Sequence, residues 1–198
     1  MAATTLEDDL LTRREAIRRV SALLGGAALI GQSAWLAGCA TGQRQLFSAI
    51  DVALLDEIAD TILPDTKTPG AKAAEVGAFI ARMVQDTYDS SEQAVFRDGL
   101  ETLERESRRQ SGSAFMASSP AQRLALLERL DLEAIEYTRR PESGDRPHYF
   151  RMIKELTLLG YFTSEIGCTQ AQRYVETPGR FEPCVTYTAG DKAWAPHA

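Results

Sequence analysis

Cysteine is the residue type in this chain with the most covalent chemistry to offer, and there are three: Cys39, Cys168 and Cys184. Cys39 closes the run Leu36-Ala37-Gly38-Cys39. Small residues before a cysteine, at the end of an apolar stretch, form a lipobox, in which the chain is cut before the cysteine and the thiol is acylated. An ordinary cleavage site holding a cysteine is the other reading. With Cys39 lipidated, Cys168 and Cys184 remain as one pair in an oxidising compartment. They either bridge or stay as two buried thiols. A bridge would close a loop of about 15 residues and stabilise the fold by roughly 3 kcal/mol on the chain-entropy estimate.

The other reactive types form no recognisable constellation. His148 follows Pro147, and His197 lies at the C-terminal end. Neither has a second ligand at the spacing a zinc site needs. Ser164-Glu165 falls in a loop-like stretch with no histidine nearby in sequence, so nothing there activates a hydroxyl. Asp56, Glu57 and Asp60 cluster on the polar side of a helical pattern, which reads as a solvated face. After Cys39 there is no Cys-x-x-Cys-His, no Gly-x-Gly-x-x-Gly and no phosphate-binding loop. No catalytic, cofactor-binding or metal-ligating residue is expected in this chain.

The clearest functional signal is an address. Arg13-Arg14 and Arg18-Arg19 precede a run from Val20 to Leu36 that carries no charge. A basic head, an apolar middle and a small-residue end make an export signal, and paired arginines mark the twin-arginine type. That route carries proteins folded in the cytoplasm to the periplasm. Residues 1–38 are therefore read as signal and 39–45 as a polar tether. Retention as an uncleaved anchor is the third reading, because Val20 to Gly38 is close to the ~20 residues of a spanning helix. Gly25, Gly26, Gly31, Gln32 and Ser33 make it weakly apolar for that. A single acyl chain would hold a membrane only marginally, so attachment would need help from a partner.

The remaining ~160 residues suffice for one domain with a sizeable core. Net charge is −6, and an acidic chain with scattered bases argues against nucleic acid as a partner. Basic residues are almost all arginine, which either serves interfaces or reflects a GC-rich genome.

Periodicity predicts an all-α fold, about five amphipathic helices in a compact bundle over residues 46–160. Helix one spans Leu46 to Leu63 with Phe47, Ile50, Leu54, Ile58 and Ile62 inward. Pro64 ends it. Helix two runs Ala73 to Tyr88, on Val76, Ile80, Met83 and Val84. Ser90 with Gln93 resembles a capping box for helix three, Glu92 to Gln110, striped by Phe96, Leu100 and Leu103. Ser119, Pro120 and Gln122 start helix four, with Leu124, Leu127, Leu130 and Ile135 buried. Residues 141–147 are a surface loop. Helix five covers Tyr149 to Leu159, on Phe150, Ile153, Leu156 and Leu159.

Residues 161–198 differ in character. Prolines and a Pro-Gly turn rule out a long helix there, and aromatics outnumber aliphatics: Tyr161, Phe162, Tyr174, Phe181, Tyr187 and Trp194. Such a tail could wrap its own core. It could equally lie against a partner, where aromatics are enriched.

Leu-Asp-Glu-Ile-Ala-Asp-Thr-Ile-Leu-Pro-Asp-Thr (55–66), Pro-Gly-Ala (69–71), Gly-Tyr-Phe-Thr-Ser-Glu-Ile-Gly (160–167), Arg-Tyr-Val (173–175) and Pro-Gly-Arg-Phe (178–181), in this order behind twin arginines, resemble the gluconate 2-dehydrogenase subunit 3 family. The resemblance spans Leu11 to Trp194. It implies a small subunit of a periplasmic or membrane-bound sugar dehydrogenase. The large subunit would be an FAD flavoprotein of the glucose–methanol–choline type, and a c-type cytochrome often joins as a third component. The C-terminal block is most similar to small subunits of glucoside 3-dehydrogenases. FAD and the catalytic residues would belong to the partner, and the small subunit would support its folding and export. The six aromatics of the tail are then the expected interface. The rival is a stand-alone exported helical lipoprotein that binds a small ligand.

Overall fold

A computed structural model describes residues 45–139, 146–177, 179–180 and 184–195. The export segment with Arg13 and Arg14, the lipobox Cys39 and the tail residue Phe181 lie outside the described residues. Five α-helices form the described bundle: α1 (Ala49–Ile62), α2 (Val76–Thr87), α3 (Ser90–Ser111), α4 (Pro120–Arg139) and α5 (Tyr149–Phe162). A 3-10 turn, Phe115–Ala117, precedes α4, and a π-turn, Gly167–Ala171, follows α5. The all-α expectation holds: among the described residues no β-strand forms, and the one bridge joins Arg173 to Trp194.

Helix starts follow local capping. Ser48 accepts from Asp51 N, and the Asp51 carboxylate accepts from Ser48 N, so α1 begins three residues later than the periodicity suggests. Ile50, expected inward, sits in that first turn and is 80% exposed. The box that opens α3 is Asp89 with Glu92, not Ser90 with Gln93. Gln93 Nε2 instead donates to the carbonyls of Val84, Gln85 and Tyr88 at the end of α2. The Ser119–Gln122 box stands as expected. α2 starts at Val76 because Ala71 to Glu75 form turns, and Glu75 takes a left-handed conformation (φ 52°).

α5 is the central element and touches each of the other four helices. Phe150, Met152, Ile153, Leu156, Thr157, Gly160 and Tyr161 are all buried, almost half of its circumference. Gly160 is required at its crossing with α2. A Cβ there would stand 2.6 Å from the Phe79 ring. Phe96, Phe115, Leu55, Ile58, Ile80 and Leu130 complete the core around it.

Candidate partner interface

The two motif blocks build one structural joint. On α1, the three acids expected to be a solvated face each hold a neighbour. Asp56 Oδ1 accepts from Gly77 N at 2.7 Å, at the first turn of α2. A Cβ on residue 77 would meet Asp56 at 2.6 Å, so glycine is needed there. Glu57 receives Lys72 Nζ at 2.8 Å on one oxygen and Arg123 Nη1 on the other. Asp60 Oδ1 accepts from Lys72 N at 3.3 Å. Arg123 also donates to the Phe115 and Met116 carbonyls and lies over the Phe115 ring. One carboxylate thus ties α1, the loop after it and the start of α4 together.

Burial pushes the Asp56 carboxyl up, against the pull of the Gly77 N–H. The Lys72 hydrogen bond, aided by Arg123, holds Glu57 below its ordinary value despite its burial. These partners were missed because Lys72 and Arg123 lie 15 and 66 residues from Glu57, and a helical pattern reports only neighbours three and four residues away.

The second block, Gly160 to Gly167, closes the joint. Tyr161 Oη donates to Pro69 O at 2.7 Å, linking the end of α5 to the loop after α1. Phe162 packs edge-on to Tyr161, with centroids 5.1 Å apart. Ser164 Oγ donates to Tyr161 O and accepts from Gly167 N. A Cβ at Gly167 would fall 1.8 Å from Tyr161 O, so the π-turn can form only with glycine there.

Beyond the π-turn the chain leaves the core. Arg173 N donates to Ala193 O and Ala195 N to Arg173 O, both at 2.8 Å, which makes the parallel bridge. The Arg173 guanidinium lies 4.6 Å from the Trp194 ring centre. Ala195 is buried and pins the end. Lys192 Nζ donates to Gln170 O. Between these anchors large apolar side chains face solvent: Tyr174, Val175, Val185, Tyr187 and Trp194.

The tail residues named from sequence therefore separate. Tyr161 is buried, with its hydroxyl committed inside the subunit, and so belongs to the core rather than to an exposed surface. Phe162 is partly buried against the core. Tyr174, Tyr187 and Trp194 are exposed together. Val175 and Val185 are exposed as well, and an aromatic pattern does not single them out.

The expected bridge between Cys168 and Cys184 is not present: both are free thiols. Cys168 is held in the π-turn, its Sγ donating to Phe162 O at 3.2 Å, while Cys184 is exposed in the irregular segment. Sequence spacing permits a bridge without fixing the Cβ geometry it needs.

Among the described residues no group of three or more His, Cys, Asp or Glu could hold a metal ion. No described helix is long and apolar enough to cross a membrane. His148 is buried, and its Nδ1 accepts from Phe150 N at 3.3 Å as the cap of α5. Its Nε2 lies 3.9 Å from Glu133, and its ring stacks on Tyr149 at 4.6 Å. Burial lowers the His148 pKa and pushes Tyr149 up to about 12. Nδ1 is occupied by the backbone, so the ring cannot act as a base through it. Open hollows among the described residues include the following. One of about 480 Å³ has Phe47, Leu54 and Leu100 at its floor. One of about 370 Å³ lies between α4 and α5 beside the Asp131–Lys154 ion pair. Neither gathers a nucleophile with a base.

Comparison with family models matches residues 49–179 to the family described as Gluconate 2-dehydrogenase subunit 3. The matched region holds both motif blocks and the joint between them. Neither the curated proteins nor the solved structures give a match.

Proposed function

Because the chain belongs to the gluconate 2-dehydrogenase subunit 3 family, the small subunit of a multi-subunit dehydrogenase, we propose that it is the non-catalytic partner of an FAD-containing large subunit. In this role it binds that flavoprotein of the glucose–methanol–choline type, supports its folding and escorts it through the twin-arginine route. Arg13 and Arg14 supply the address, and Cys39 is the point of lipid attachment in the periplasm. The complex oxidises a sugar, of the glucoside 3- or gluconate 2-type, and passes electrons to a c-type cytochrome.

What carries this role is the surface of Tyr174, Val175, Val185, Tyr187 and Trp194. These side chains are each exposed, in a segment anchored by the Arg173–Trp194 bridge. Exposed aromatic side chains are enriched at partner sites. The chemistry that fits it is a complementary apolar protein surface.

The test is co-expression with the cognate large subunit. Full-length chain should carry flavin absorbance into the periplasm and co-purify with it. A deletion of residues 176–198 leaves α5 and the π-turn whole. It should keep the helical fold and lose the flavoprotein. A deletion from residue 160 would remove Tyr161 from the core, so it would not separate folding from binding. Arg13→Lys with Arg14→Lys should leave both subunits in the cytoplasm. Export of the flavoprotein without this chain refutes the role.

A further inference from the structure

Histidine is an unusual helix cap. Serine, threonine, aspartate and asparagine lead there, because each brings an oxygen that accepts at any ordinary pH. An imidazole nitrogen accepts only while it carries no proton. At the start of α5 that nitrogen is His148 Nδ1, which accepts from Phe150 N at 3.3 Å. The bond selects the tautomer: Nδ1 is bare, and the single ring proton sits on Nε2. Nε2 lies 3.9 Å from Glu133 Oε1 on α4, too far for a hydrogen bond.

The surroundings decide how the ring takes a second proton. The His148 ring is buried, stacked on Tyr149 at 4.6 Å and tilted against Tyr137 of α4 at 5.4 Å. Tyr149 is itself seated against α3, where a Cβ on Gly99 would stand 2.4 Å from the Tyr149 Cβ. Burial pushes the Tyr149 hydroxyl up to about 12, so it stays neutral while a histidine titrates. The charges around the ring run across two helices. Glu133 meets Arg129 at 3.7 Å, and Arg129 meets Glu106 of α3 at 2.7 Å. Glu133 favours the imidazolium. Burial opposes it and prevails, holding His148 below its ordinary value, and the positive end of the α5 dipole opposes it too. A second proton has only Nδ1 to occupy. There it confronts the Phe150 N–H, donor against donor.

We propose that His148 is a proton-operated latch on α5: neutral, it caps the helix; protonated, it releases the Phe150 N–H and turns its charge to Glu133, opening the first turn while Tyr149 stays seated on α3. The latch is independent of the partner role. It is a local change, made while the rest of the bundle stays folded.

The experiment is NMR on the isotope-labelled full-length chain from about pH 8 to about pH 4.5. The ring nitrogens should show the Nε2–H tautomer at the upper end. As the ring titrates, with a midpoint below about 6.5, the Phe150 amide should lose exchange protection at least about fivefold. Ile153, in the next turn of α5, should keep its own. His148→Asn holds a cap at every pH, so its Phe150 protection should not change over this range. Glu133→Gln removes the charge that favours the imidazolium, so the midpoint should fall. The inference is overturned by an Nδ1–H tautomer at the upper end, or by Phe150 protection that does not change as the ring titrates. It is also overturned if His148→Asn shows the same change as the parent, or if the Glu133→Gln midpoint stays at or above the parent's. Protection lost at Ile153 in step with Phe150 would mean global unfolding rather than a latch, and refutes it as well.

Discussion

Glu57→Gln tests the joint on which the fold turns. The side chain is isosteric but loses the charge that holds two cations. Its partners are unequal. The Lys72 side chain is 55% exposed, so that pair is worth at most about 1 kcal/mol. The Arg123 side chain is 14% exposed and Glu57 17%. Breaking a fully buried pair costs about 3–5 kcal/mol, because a charge is left without compensation. Arg123 keeps the Phe115 and Met116 carbonyls and some access to water, which lowers the cost. About 2–3 kcal/mol in all is expected at pH 7, roughly 5–10 °C in Tm for a domain of this size.

The pH dependence gives a second check. The folded-state pKa of Glu57 is depressed. Its contribution is therefore fully present above the unfolded value and is lost as pH falls through the folded one. The parent and Glu57→Gln should converge in stability at low pH. Urea unfolding at pH 7 and at pH 3–4 measures both. A loss under about 0.5 kcal/mol at pH 7, or a gap that persists unchanged at low pH, refutes the view that the charged carboxylate holds the joint.

Tyr161→Phe should lower stability by about 1–2 kcal/mol, since Pro69 O loses its donor. Capture of the large subunit by the folded variant should be unchanged; weaker capture at unchanged stability would return Tyr161 to the interface. Gly167→Ala places a methyl 1.8 Å from Tyr161 O, and a loss of at least about 2 kcal/mol is expected in chemical denaturation. His148 has a depressed pKa, so its contribution is present above the unfolded value near 6.5 and is lost as pH falls through the folded one. Melting temperature should fall between pH 7 and pH 5. His148→Asn keeps an oxygen to cap Phe150 N and should flatten that slope.

What the sequence could disclose was local. The Ser119–Pro120–Gln122 start, the stop at Pro64, the stripe of α3 and the Phe150, Ile153 and Leu156 part of the α5 stripe each depend on residues within four positions of one another, whereas Leu159 of α5 and Leu124 and Ile135 of α4, expected inward, are exposed. The errors at α1 and α3 share a cause. Ser48 and Ser90 are both plausible caps, but Asp89 competes with Ser90 as an equally good one, and only the carbonyls that Gln93 meets decide between them. Ile50 fits the period of α1 yet precedes the point where the helix reaches the core. The joint itself was out of reach, because Glu57, Arg123, Tyr161 and Pro69 meet only after α1, α4 and α5 have packed.

The family motifs take on a different meaning once their residues are located. Asp56, Glu57, Pro69, Gly160, Tyr161 and Gly167 would attract a search for catalytic roles, yet every one serves internal packing: Asp56 joins α1 to α2, Glu57 joins α1 to α4, Pro69, Gly160 and Tyr161 seat α5, and Gly167 lets the π-turn form. A motif whose members serve internal packing says more about the scaffold than about what each chain grips. The residues free to vary with the partner are those beyond the joint, where Val185, Tyr187 and Trp194 stand in solvent. If this division is right, exchanging residues 176–198 between two members with different large subunits should exchange their partner preference while both melting temperatures stay close to those of the parents. A hybrid that keeps the preference of its helical region would place recognition in the bundle and refute it.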